Sequence, residues 1–174
     1  MANDTKSAIS TLNGLIETCK DGANGFRAAA DAVTRPDAKA LFISRVPAIE
    51  QAATELQAEV RRLGGDPETS GSVAATIHRG WINLKSAVTG KDEAAVITEC
   101  ERGEELAASN YEDALKADLP AESRAVVERQ YRGTVANLEK VRALGQAYDA
   151  SAPTVAPTPN VDKAGGDRTA TNRF

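Results

Sequence analysis

Four long stretches in which apolar residues recur at three- and four-residue steps constrain this chain more than any other feature. Ile9, Leu12, Ile16, Cys19, Ala23, Phe26, Ala30 and Val33 form the first stripe, predicting a helix over about 6–33. Residues at that spacing share one face of an α-helix, and an apolar face has to be buried against something. Leu41, Arg45, Ile49, Ala52, Leu56, Val60 and Leu63 form a second stripe, over about 36–63. Val96, Cys100, Glu104, Ala107, Tyr111 and Ala114 form a third, over about 92–116. Val127, Tyr131, Thr134, Leu138, Val141 and Leu144 form the last, over about 120–148. A shorter pattern, Val73, Ile77, Trp81, Leu84 and Val88, predicts a helix over about 72–88.

The breaks between stripes are equally legible. Thr34 is placed to cap the second helix, Pro36 suits its first turn, and Asp37 complements the positive end. Gly64-Gly65-Asp66-Pro67 ends that helix, and Asp92 is a good N-cap for the fourth segment. Pro47 falls inside the second stripe, where it removes one backbone bond and crowds the carbonyl of Ile43. A kink near 43–47 is expected there, not a break into two helices.

The long stretches reach roughly 40 Å at 1.5 Å per residue, and rods of equal length pack best side by side. Tight joins make an antiparallel hairpin of the first pair and another of the last. Residues 64–90 are long enough to carry the chain from one end of the bundle to the other. Two hairpins joined by one long crossover is ferritin-like connectivity. The expectation is therefore an all-α, ferritin-like four-helix bundle over 1–150, with a short crossover helix between its second and third long helices. The segment from 151 has three prolines and no periodicity, which predicts a disordered tail.

Composition agrees and narrows the function. Apolar residues make up 41% of 174, aromatics only 4%, and alanine, the best helix former, carries much of the apolar share. A net charge of -4 argues against nucleic acid, which demands clustered Lys and Arg. No apolar run approaches the roughly 20 residues of a membrane span, and MANDTKSAIS is not a signal sequence. A cytoplasmic protein is expected. There is no phosphate-binding glycine loop, zinc spacing or Gly-x-Ser-x-Gly elbow.

Several stretches carry a likeness: LNGLIETCKDGANGF (12–26), LQAEVRRLGG (56–65), GSVAATIHRGWINLKS (71–86), ECERGEE (99–105) and ERQY (128–131). Over about 6–148 the chain resembles a bacterial family of ferritin-like four-helix-bundle proteins of unknown function. The likeness implies the bundle and, loosely, a setting in bacterial stress physiology.

Ferritin-like di-iron proteins take a Glu from each of two helices and Glu-x-x-His from each of the other two. Glu17, Glu50, Glu104 and Glu128 stand on the four long segments, with Glu101 beside them. The histidines do not follow: Ala53 is three residues after Glu50 and Tyr131 three after Glu128. The sole histidine is His78, on the crossover segment. An oxygen-rich iron or manganese site on these glutamates, with or without His78, is one reading. The other makes Glu104 the partner of an Arg on a facing helix, such as Arg45, because a buried charge needs a counter-charge. On that reading Glu17 is a rim residue, and Glu50, Glu101 and Glu128 lie on solvated faces. Trp81 is expected to pack into the bundle with His78 bonded nearby. Tyr111 and Tyr131 read as core residues before redox tyrosines, and Cys19 and Cys100 as inert packing before a redox pair.

Three roles remain. The first is a non-enzymatic bundle, with no cofactor, that acts by association, most simply as a homo-oligomer. The second is an atypical carboxylate-bound metal protein with an oxidase or storage role. In the third, Asp167–Phe174 docks the bundle to a protein shell as cargo.

Overall fold

Each of the four long stripes lies on one helix. The computed structural model describes residues 2–68, 87, 89 and 92–151. Among these, four helices carry the fold: α1 (Ala2–Ala32), α2 (Pro36–Arg62), α3 (Glu93–Lys116) and α4 (Ala121–Ser151). No strand occurs among the described residues. The expected crossover helix over 72–88, with Trp81 and His78, lies outside them apart from Ala87, as does the tail beyond 151.

The inward faces match the stripes, with local rotations. Leu12, Ile16, Phe26, Leu56, Val60, Val96, Val127 and Val141 are fully buried. At the start of α2 the core takes Phe42, not Leu41, and Phe42 meets the Phe26 ring at 5.7 Å between centroids. In α1, Ala8 is buried and Ile9 only half-buried. A 3.6-residue turn makes neighbouring positions nearly equivalent in pattern, so the facing helix decides which of the two turns inward.

Pro47 does not interrupt α2, which runs unbroken from Pro36 to Arg62. The ring lies on the exposed side of the helix, where water can reach the carbonyl that loses its partner. Beyond Arg62 the chain reverses through a Schellman motif. Gly64 has φ +78°, its N–H donates to Arg61, and the Gly65 N–H donates to Val60. A Cβ on Gly65 would fall 2.8 Å from the Ile9 side chain, so α1 closes directly over this turn.

The expected Asp92 cap forms, its carboxylate accepting from the Ala95 N–H at 3.1 Å. Thr34 does not cap α2. The N-cap is Arg35, without a side-chain bond, and the Thr34 hydroxyl donates to Glu93 at 2.6 Å. Glu93 also accepts the N–H groups of Thr34 and Arg35, so the first turn of α3 clamps the α1–α2 join. At the other join, Arg124 donates to the carbonyls of Leu115 and Ala117 and closes the C-terminal end of α3.

These contacts define the topology. α1–α2 and α3–α4 are the closely packed hairpins, and α1 lies against α3 and α2 against α4. Both cross-hairpin pairs run antiparallel: Thr34 meets Glu93 while Cys19 meets Tyr111, and Arg62 meets Glu122 while Arg35 meets Ser151. The end of α2 and the start of α3 therefore lie at opposite ends of the bundle, and the connection between them has to span its length. That is the ferritin-like arrangement. None of the described helices is long and apolar enough to cross a membrane.

Candidate functional site

Polar residues interrupt all four inner faces near the bundle's midpoint, and there they form two clusters around a cavity. The first is built on Glu104, only 2% exposed, and Arg45, whose side chain is 12% exposed. Arg45 Nε and Nη2 donate to the two carboxylate oxygens at 2.6 and 3.1 Å, a bidentate pair across α2 and α3. From α4, Asn137 Nδ2 donates to Glu104 at 2.8 Å, and Thr134 Oγ1 accepts from Arg45 at 3.3 Å. The charge of Glu104 is thus balanced by a cation and its oxygens are filled. The ion-pair reading of these two stripe-breaking residues is the one the structure realises.

The second cluster joins all four helices. The Tyr111 hydroxyl (α3) donates to Gln130 Oε1 (α4) at 3.0 Å, and Cys19 Sγ (α1) lies 3.3 Å from the same hydroxyl. Since tyrosine has one proton to give, the thiol is the donor in that contact. Gln130 Nε2 donates onward to the Ala52 carbonyl and to Glu55 on α2, at 3.2 and 2.8 Å. Arg129 donates to Glu55 at 2.6 Å. Burial opposes ionisation of Glu55, but bonds from Gln130, Arg129 and Gln51 outweigh it and hold the carboxyl below its usual range. Burial pushes the Cys19 thiol up to about 11 and raises Cys100 and Tyr111 strongly as well. Both cysteines are buried free thiols with negligible thiolate at neutral pH, which fits inert packing. Tyr131 is half-buried against the core.

Between the clusters lies a cavity of about 210 Å³, lined from all four helices. It exists because α2 and α4 contact each other more sparsely than α1 and α3 do, while small residues, Gly22, Ala52, Gly103, Ala107 and Gly133, line the space between the helices.

The other glutamates singled out from the sequence do not join Glu104. Glu17 is half-buried on α1, its carboxyl pushed up by burial and then by Glu68 and Asp21, with Lys20 opposing. Glu50 is exposed and pairs with Arg27, and Glu128 is exposed on α4. Glu101 pairs with Arg142 at 2.9 Å. Among the described residues, no group of three or more His, Cys, Asp or Glu side chains is placed to hold a metal ion. His78 lies outside the described residues. Gln130, Asn137 and Glu55 escaped the pattern reading. The signal for two of them was present: Ser123, Gln130, Thr134 and Asn137 continue the three- and four-residue spacing of Val127, Leu138 and Val141.

A family comparison matches residues 7–117 to the domain of unknown function DUF2383. The chain belongs to this family. The matched stretch carries Cys19, Arg45, Glu104 and Tyr111, while α4, which supplies Gln130, Thr134 and Asn137, lies beyond it, as does the ERQY segment. Comparison with curated proteins finds no match. Among solved structures, a two-domain protein from Anabaena variabilis, containing DJ-1/ThiJ/PfpI-like and ferritin-like domains, superposes with a TM-score of 0.69 at 12% identity. The superposition covers 96% of this chain and 42% of that one, so the chain spans less than half of its neighbour's length. At that identity the likeness carries the fold alone, and the fold is ferritin-like.

Proposed function

We propose that this chain is a non-catalytic ferritin-like bundle that works by association, with a second copy of itself or with a protein partner. The observation that carries the reading is the bidentate Arg45–Glu104 pair at the bundle's midpoint. A metal pair held by carboxylates needs their charge, and here the innermost carboxylate is neutralised by a guanidinium and locked by Asn137. Glu50 and Glu128 stand on exposed positions, away from that point. A bundle that keeps its architecture without that donor set still has its outer faces for association. The solved neighbour offers a parallel, since its ferritin-like domain shares a chain with a second domain. A role in bacterial stress physiology follows only from the family resemblance.

Two measurements on the full chain test the reading. Light scattering coupled to size exclusion is expected to show a defined oligomer, or capture of a specific protein. Elemental analysis after expression with iron or manganese is expected to find only traces. Stoichiometric metal that survives dialysis would replace this reading with the carboxylate-metal one.

A further inference from the structure

We infer that the midpoint cavity is a binding site for a small, neutral, single-ring aromatic molecule bearing one acceptor oxygen, of the phenol type. Its volume, about 210 Å³, exceeds the roughly 150 Å³ of an engineered cavity that takes up benzene. Much of the wall is apolar, with Phe26, Ile49, Ala52, Leu106 and Ala107 contributing to it. Phe26 offers a ring and Arg45 a guanidinium, and both favour the face or edge of an aromatic guest.

The polar part of the wall selects the rest of the ligand. Arg45 commits Nε and Nη2 to Glu104, and its Nη1 has no hydrogen bond among the described residues. Thr134, 4% exposed, accepts from Arg45, and its own hydroxyl proton likewise has no acceptor among them. Two uncommitted donors at one wall can bind an acceptor on a guest. Charge pairing disfavours an anion. Among the described residues, two guanidinium groups, Arg45 and Arg129, line this cavity. The two guanidiniums are already paired, with Glu104 and Glu55. A carboxylate guest would have to compete with Glu104 for its guanidinium.

Calorimetric titration of the full chain with phenol, benzoate and benzene tests this inference. Phenol is expected to bind saturably and raise the melting temperature, benzene to bind more weakly, and benzoate not at all over the same range. Thr134→Val keeps the side chain's shape and removes the donor, so phenol affinity is expected to fall about tenfold with benzene unchanged. Gly133→Leu fills the cavity from a position whose added Cβ meets nothing within 4 Å, so it should fold normally and bind neither probe. Absence of saturable phenol binding overturns the inference. So does phenol binding that ignores both substitutions, or benzoate binding more tightly than phenol. None of these results bears on metal content or oligomeric state, so this inference and the association reading fail separately.

Discussion

The two seams that join the hairpins are built differently. Between α1 and α3 the bonds are short-armed, Thr18 to Asn110 and Cys19 to Tyr111, and the helices approach closely. Between α2 and α4 the chain places longer struts at successive levels. Arg62 meets Glu122, Glu59 meets Ser123, Arg129 meets Glu55, Arg45 meets Thr134, and Arg35 meets Ser151 while covering the Tyr148 ring. Long polar side chains that bond end to end hold their backbones apart, and the cavity is what remains between the rungs. The same four-helix plan thus yields one closed seam and one open, hydrogen-bonded seam, and side-chain length decides which is which.

The comparison breaks first at Arg45. Arg45→Met strands the Glu104 carboxylate in the core and is expected to cost about 3–5 kcal/mol, read from the urea midpoint. The double variant Arg45→Met with Glu104→Leu is expected to match or exceed the parent, since a buried pair often adds little over apolar packing. If the single variant is neutral, the open seam does not depend on this pair. Tyr111→Phe comes next, because it cuts the link between the seams and leaves Gln130 Oε1 and the Cys19 thiol unpartnered. A loss of about 1–3 kcal/mol in urea denaturation is expected, with faster modification of Cys19 by a thiol reagent. Unchanged reactivity would show that the thiol is shielded by packing alone.

The smallest effect belongs to Glu55, which water reaches. Its folded pKa lies below its ordinary value near 4.5, so the native state binds this proton less readily than the unfolded chain. Its contribution is present above about pH 4.5 and fades as pH falls through the lower folded value. Glu55→Gln should cost less than about 1 kcal/mol at pH 7, with the gap to the parent closing on acidification. A gap that widens in acid reverses the sign and removes Glu55 from the strut series.

Much of the bundle is legible in the sequence. Leu12, Leu56, Val96 and Val141 announce their faces by spacing, and Asp92 and Gly64 announce helix ends by chemistry. The intruders, Arg45 and Glu104, were visible as charges on apolar stripes, which is why their pairing could be anticipated. Asn137 and Gln130 were harder to find. Each sits on the inner spacing of α4, but an amide there carries no net charge to demand a counter-charge, so its partner cannot be named from one helix. Thr34 misled for the opposite reason: it has the chemistry of a cap, and Glu93, far along the chain, arrives to take its hydroxyl instead.

Taken alone, the amino-acid sequence determined the helices, their inner faces and the two hairpins, because periodicity and capping act within a turn or two of one chain segment. Only the tertiary structure decided which carboxylate meets which guanidinium, which seam stays open, and that Phe42 turns inward in place of Leu41. Those outcomes depend on how far each helix is rotated and slid against its neighbour. Such offsets are set by the packing of all four helices at once, and no single stripe encodes them.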